Sequence, residues 1–513
     1  MKTATMLRLR VAVEACLMAQ CLTVVPLTAF AADMPEQKTA WPTNRESRVF
    51  LPGNLVLSRT IYNNNAANVV VGTVLPPNCA ATAGGCALAT GATYDGNYPD
   101  VWNNVLYDAS FGITAKIVLD EMTPWGRVLN SIEVPSSPGR DHMVTSFSSK
   151  SELALNLSTD HQHLTFMGYV APIDTLDVSN SNTPAAVDST NPVGDNFYRA
   201  IAEVGADGKF AFTDTNAYSG NNGRAAIEDD SRGVDVIYTV GNAGNGANPQ
   251  PNGVILGAGA QIMTPAFAPQ AGQSPGIPTP VASFSVTELG AKADKIGKDD
   301  NFRGMTVFND VLYFTKGSGS NGVNTVYFVD TVGGACPNGT GLPAPSAKLP
   351  TKPLNYDYAA IQTAGLPNNV CILAGFPSTP NKSAATTAFP FGIWFADDHT
   401  LYVADEGDGY TGGIDLYSHA AAQSMAGLQK WILNKRSGTW SMTYVLTQGL
   451  DLGTPYTVQH YPNGTNAATG LPWSPATDGL RNITGHMGRD GVATIWGITS
   501  TVSGNGDVGA DPN

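Results

Sequence analysis

Charge is what this 513-residue chain has least of. Charged residues make up 14 %, and Lys and Arg total 28 against 42 Asp and Glu. Soluble domains usually carry about 25 %, so the surface must be built largely from Asn, Ser, Thr and Gly. Residues 1–32 hold Lys2, Arg8 and Arg10 against Glu14, a net of +2, which leaves −16 on the remainder of a chain whose total is −14. A surface of that sign repels nucleic acid and anionic lipid, and both are excluded as partners.

Other absences narrow the chemistry. No run after residue 30 approaches the roughly 18 apolar residues of a membrane span. There is no Gly-x-Ser-x-Gly elbow in a strand–turn–helix setting, no His-Glu-x-x-His, and no Gly-x4-Gly-Lys-Ser/Thr phosphate loop. Gly317-Ser318-Gly319-Ser320-Asn321-Gly322 is Gly-rich but falls between two strand runs, as a flexible hairpin loop. Cysteine is sparse. Beyond residue 31 only Cys79, Cys86, Cys336 and Cys371 remain. None has zinc-ligand spacing with a His, and an even count suggests disulfides in an oxidising compartment. Cys79 and Cys86 bracket a loop of small residues and are expected to pair. Cys336 and Cys371 would then close a long excursion between two strands.

The N-terminus supplies the matching address. Lys2, Arg8 and Arg10 form a basic head, an apolar stretch follows to Phe30, and Ala29-Phe30-Ala31 fits a small-x-small cleavage site. Residues 1–31 are therefore expected to be a signal peptide, 32–50 an extended lead-in, and the mature protein secreted or periplasmic. Val13-Glu14-Ala15-Cys16 is a poor frame for lipid attachment.

What the chain has in abundance is Gly, Pro and recurring strand pairs, with Gly 55 and Pro 34. Phe302–Phe308 turns at Asn309-Asp310 into Val311–Thr315. Phe391–Ala396 turns at Asp397-Asp398-His399 into Leu401–Asp405. Leu480–Gly485 turns through Arg489-Asp490-Gly491 into Val492–Trp496. Each reads as a β-hairpin. Earlier units begin at Gly53, Leu153 and Arg224, the third of them running to a strand at Ala282–Leu289. Repeats of this kind predict an all-β fold, a single β-propeller over 51–513 with six countable four-stranded blades, or seven if a long loop hides one. The last unit shows two clear strands, an open edge that a truncation or the N-terminal strands would account for. His419–Leu428 is the best helical candidate.

Leu401-Tyr402-Val403-Ala404-Asp405-Glu406-Gly407 resembles the strand ends of NHL-type and gluconolactonase-like propellers. Gly53–Arg59, Leu119–Pro124, Leu155–Tyr169, Ala217–Arg224 and Leu401–Trp431 resemble a family of exported bacterial propeller proteins. The resemblance implies fold and export; it carries over no catalytic residue.

Arg140, Arg224, Arg303 and Arg481 recur at similar places, the last three at the start of inner strands. As a ring they would bind a carboxylate or phosphate; alternatively each braces a neighbouring unit. Glu228-Asp229-Asp230 and Asp405-Glu406-Gly407-Asp408-Gly409 are oxygen-rich turns, with Asp405 and Asp408 the candidate ligands for calcium, or simply solvated turn residues. His161 and His163 alternate onto one face, where a metal could bridge them. His142 and His486 could approach a channel. Trp125, Trp394, Trp431, Trp440 and Trp496 are sugar platforms or, better, packing residues. Two functions follow. One is an exported monomeric binding protein for an anionic small molecule or glycan. The other is a hydrolase, lactonase or lyase working in the channel with a divalent ion.

Overall fold

Short runs of β-branched and aromatic residues, cut by Gly, Asn and Asp, set the strands. The structure is a computed structural model. It describes residues 49–61, 114–139, 141–146, 153–175, 178–184, 194–231, 233, 235–242, 259–266, 301–317, 322–352, 369–410, 413–458, 464–465 and 469–504. It gives the backbone alone for 6–11, 273–274, 277–278, 287–288 and 291–292. The fold is all-β, and the α-helix among the described residues is Leu416–Ala422.

Among the described residues, six mainly antiparallel sheets of three or more strands follow one another in chain order, beside two short two-stranded ones. The first holds Leu55–Ile61, Thr114–Met122 and Val128–Glu133, with Thr145–Ser146 paired to the start of the second strand. The second holds Asn156–Leu157, His163–Tyr169, Arg199–Gly205 and Phe210–Thr215. The third is Gly223–Asp229, Val236–Gly241 and Ala260–Met263. The fourth is Phe302–Phe308, Val311–Lys316, Thr325–Val329 and Val370–Leu373, with Thr340–Gly341 added in parallel. The fifth is Pro390–Asp397, Thr400–Asp405, Gly427–Asn434 and Thr439–Leu446. The sixth pairs Pro475–Met487 with Ala493–Ser503, and Met6–Val11 lies antiparallel on its outer edge.

Each sheet shares a core with the next. Phe166, Ile117 and Leu119 join the first to the second, and Met167, Ile201, Ala226 and Ile237 join the second to the third. A large cluster runs from Ile227 and Tyr238 through Phe302, Phe314 and Tyr327 to Phe395, Trp431 and Trp440. Tyr402, Leu428, Leu480 and Ile495 join the fifth to the sixth. The sixth sheet reaches the first, where Trp496 Nε1 donates to Pro124 O at 2.9 Å. Strands in the middle of this series are covered on both faces: Gly223–Asp229, Val236–Gly241, Val311–Lys316 and Thr325–Val329 are buried throughout. That explains why Val236–Gly241, Val311–Lys316 and Thr325–Val329 read as near-continuous apolar runs rather than alternating ones. The outer strand Val128–Glu133 is almost wholly exposed.

The hairpin turns match their chemistry. Asn309 and Asp310 both sit at positive φ, 49° and 59°, as a two-residue hairpin loop requires. Other expectations need correction. The helix ends at Ala422, and Leu428 is in a strand, because Gly427 takes φ +118° and opens that strand. The last unit's inner strand starts at Pro475, five residues before Leu480, and passes Asp478 and Gly479 through a register shift. Of the fourth strand expected at Ala282–Leu289, the described part, Thr287–Glu288, pairs with Ala291–Lys292 instead. Cys79, Cys86 and Arg140 lie outside the described residues.

Cys336 and Cys371 stand at disulfide distance, Cα to Cα 5.8 Å, at a sequence separation of 35. The pair ties the excursion holding Thr340–Gly341 to the last antiparallel strand of the fourth sheet. Closing a loop of that length stabilises by about 4 kcal/mol through the unfolded chain. Cys371→Ala should lower the free energy of unfolding by about that amount. Urea titration of the oxidised protein and the variant measures it, and an equal effect of reductant on the wild type confirms the origin.

Candidate functional site

The first strand of each of the six larger sheets, or the turn after it, contributes to one cavity of about 1160 Å³. Its walls are Leu55–Val56, Asn156–Leu157, Ile227, Met305–Phe308, Ile393–Phe395 and Ile483–Gly485, so all six sheets meet there. The lining is largely aliphatic, with Trp394 as an aromatic face and Asn156, Thr306, Thr484, Gln162 and Asp310 as polar points. Such a mixture is what small-molecule sites use. Trp431 and Trp440, by contrast, are 5 % exposed and belong to the core.

On one side of this cavity the turn of the second sheet, Ser158–His163, faces the end of the third sheet's inner strand. The turn is built by Ser158, whose backbone N donates to His163 O and whose Oγ accepts from the N–H groups of Gln162 and His163. His161 takes φ +64° in it. That breaks the strand alternation expected to put His161 and His163 on one face. Thr159 clamps the turn to its neighbour: its N donates to Glu228 O at 2.9 Å and its Oγ1 to Asp229 Oδ1 at 2.8 Å. Asp229 is fully buried and also accepts from Ser231 Oγ at 2.7 Å.

The clamp brings together side chains that are about 70 positions apart. His163 Nδ1 is 2.9 Å from Glu228 Oε2, and ligand atoms of Asp160, His163 and Asp230 all lie within 4.8 Å of one another. Among the described residues Asp160, His163 and Asp230 are the group of three potential metal ligands, and Glu228 stands outside it. Burial, with Asp160 beside it, pushes the Asp230 carboxyl up. Burial also pushes Glu228 up, against the pull of His163. Asp160 is held low, because hydrogen bonds from Ser158 and Gln162 outweigh its desolvation. Glu203, on the neighbouring strand, is pushed up to about 8 by burial and by Glu228, Asp235 and Asp230.

That last shift has a definite sign. Glu203 holds its proton in the folded protein to about pH 8 but releases it near 4.5 when unfolded. The stability it contributes is therefore fully present below about pH 4.5 and lost as pH rises to about 8. Glu203→Gln removes the titration. In chelator, the variant should match the wild type near pH 4.5 and exceed it at pH 8 by on the order of 2 kcal/mol, after allowing for partial exposure. Denaturant midpoints at the two pH values test this, and a wild type equally stable at both would rule it out.

The arginines sit toward the N-terminal ends of the inner strands, away from the cavity-lining segments. Arg224 Nη1 donates to Asn301 Oδ1 and to Phe302 O at 3.0 Å, tying the third sheet to the fourth. Arg303 and Arg481 meet across Glu406: Arg303 Nε is 4.0 Å from Oε1 and Arg481 Nε is 3.2 Å from Oε2. They line a second pocket of about 80 Å³ with Asp408, Asp478 and Ser500. The Asp405 carboxylate is fully buried, pushed up to about 7 by burial, and accepts from Phe389 N, Gly407 N and Gln429 Nε2. Asp408 accepts from Tyr410 N and pairs with His419 Nε2 at 2.6 Å. The two carboxylates thus serve the loop around them.

The residues that sequence reasoning missed are Asp160, Glu203 and Glu406. A signal existed for the first. The His-x-His turn and the Glu-Asp-Asp run occupy the same place in consecutive units, just after the inner strand, and equivalent turns of adjacent units face each other. No family model matches the chain, and no curated protein matches it.

Proposed function

We propose that the chain is an exported β-propeller binding protein whose six sheets are six blades, with the large cavity as its central ligand site. The observation that carries this is the cavity wall: one inner strand, or the turn after it, comes from each sheet in chain order. The contact from Trp496 to Pro124 supports closure of the ring between its last and first members. Radial packing covers both faces of each sheet and leaves no bare terminal one. An experimental structure with two stacked sheets or an open solenoid would defeat the reading. The disulfide-distance pair and the lack of a long apolar helix among the described residues are compatible with export. Mass spectrometry of protein recovered from the periplasm or medium should find the mature N-terminus near Ala32. Met6–Val11 would then leave with the leader and free the edge of Ala493–Ser503.

The ligand best suited to the site is a small molecule or glycan that stacks on Trp394 and bonds to the amide and hydroxyl groups around it. Arg303 and Arg481 already share Glu406 beside a pocket of about 80 Å³, so the large cavity is the better site. Calorimetry and thermal shifts against glycans and organic acids test this. Thr306→Trp, which sets a bulky ring on the cavity wall, should weaken any shift found while leaving the fold intact.

A second reading, a hydrolase, lactonase or lyase acting with a divalent ion, is favoured by the cluster of His163, Glu228, Asp230 and Asp160 beside the cavity. Metal-dependent turnover of an ester or lactone, lost in His163→Ala, would select it over simple binding.

A further inference from the structure

We propose that Asp160, His163 and Asp230 form a site for one first-row divalent metal ion, Zn²⁺ or Mn²⁺, that bridges the second and third sheets beside the cavity. The inference deepens the second reading above in locating its ion, but it stands or falls on binding rather than on turnover.

The first argument is the donor set. One imidazole and two carboxylates suit a borderline ion; Ca²⁺ prefers oxygen alone, and Mg²⁺ keeps most of its waters. The second is the way the donors meet. Ligand oxygens of Asp160 and Asp230 lie within 4.8 Å of each other and of a ring nitrogen of His163. Two carboxylates that near repel unless a proton or a cation stands between them. Glu228, 5 % exposed, stands with its Oε2 2.9 Å from His163 Nδ1, a buried carboxylate against the ring of the candidate ligand.

The third argument is that the site is held in place before any ion arrives. Ser158 Oγ and Gln162 N both donate to Asp160 Oδ1, at 2.7 and 2.8 Å, which fixes that carboxylate. Asp229 locks the two turns together through Thr159 and Ser231. Such outer contacts are what orient metal ligands.

The test uses the full chain stripped with chelator. Calorimetric titration with ZnCl2, MnCl2 and CaCl2 separately should show one equivalent of Zn²⁺ or Mn²⁺ bound more tightly than Ca²⁺. His163→Ala and Asp230→Asn should each weaken that binding by about tenfold or more, whereas Asp408→Asn, remote from the cluster, should leave it unchanged. A readout on the wild type alone guards against variants that fail to fold. Zn²⁺ should protect His163 from diethyl pyrocarbonate, mapped by mass spectrometry, and leave the neighbouring His161 reactive. Failure of Zn²⁺ and Mn²⁺ to bind stoichiometrically, preference for Ca²⁺, undiminished binding in both variants, or equal labelling of His163 with and without Zn²⁺ would each overturn the proposal. Metal binding without turnover of any ester or lactone would leave the site standing and remove only the hydrolase reading.

Discussion

Glu406→Ala should destabilise the protein by about 3–5 kcal/mol, the cost of stripping a buried charge of its counter-ion. Glu406 is 6 % exposed and is placed between Arg303 of the fourth sheet and Arg481 of the sixth. It follows directly on the fifth sheet's strand Thr400–Asp405, so one carboxylate links three sheets. Removing it leaves Arg303, 7 % exposed, and Arg481, with a quarter of its side chain exposed, facing each other across a pocket of about 80 Å³. Glu406→Gln keeps the shape but not the charge and should fall between. The triple variant Arg303→Met, Glu406→Leu and Arg481→Met should recover most of the loss. A buried ion network replaced whole by apolar side chains costs far less than one broken in half. Equilibrium urea unfolding of the three variants measures the series. An alanine variant as stable as wild type would mean that the arginines are braced elsewhere.

The same residues show what a linear sequence can and cannot disclose. The hairpin at Asn309-Asp310 was legible because the turn is local: two residues that tolerate positive φ, flanked by apolar runs, suffice. The all-β class was legible for the same reason. Arg303 and Arg481 were legible as a recurring pair, and the structure does bring them together, but around an acid. That acid lies in the Asp-Glu-Gly-Asp-Gly run read for its calcium-like pattern. Its outer members, Asp405 and Asp408, were the obvious ligand candidates, yet each is engaged by nearby N–H groups or by His419. The informative member was Glu406, whose partners are 103 and 75 positions away. The cluster around His163 was half visible, since both halves were singled out. Their meeting depends on how the second sheet packs on the third, and that is decided by buried side chains such as Met167, Ile201 and Ile237 rather than by anything near the histidine. Local rules fix turns and strands; the partners of a charge are fixed by sheet-to-sheet contact.

The tightest of those contacts supplies the other large effect. Gly304→Val should cost roughly 4 kcal/mol, above the usual range for overpacking, and should reduce the yield of folded protein sharply. Gly304 lies in the fourth sheet's inner strand, and a Cβ built on it would run into Phe391 O of the fifth sheet's inner strand. The obstacle is a backbone carbonyl, which cannot swing aside as a side-chain tip can. Thr315 Oγ1 donates to that carbonyl at 2.7 Å and accepts from Gly304 N at 3.0 Å, so the hydroxyl bridges the two strands at the same point. A valine there must push the fifth sheet outward and break the bridge with it. The pattern continues to the next sheet: a Cβ on Gly392, in the fifth sheet's inner strand, would meet Arg481 O and Ile483 N of the sixth sheet's inner strand. Glycines thus let the inner strands of neighbouring sheets approach backbone to backbone around the cavity. Gly438, at a hairpin turn of the fifth sheet, is the control. A Cβ there has its nearest atom at 3.6 Å, but φ is +66°, so Gly438→Ala should cost about 1 kcal/mol from backbone strain alone. Thermal and urea unfolding of the two variants side by side would separate the effects. A Gly304→Val protein within about 1 kcal/mol of wild type would show that the sheets can part without loss, and would remove the close inner-strand packing on which the cavity depends.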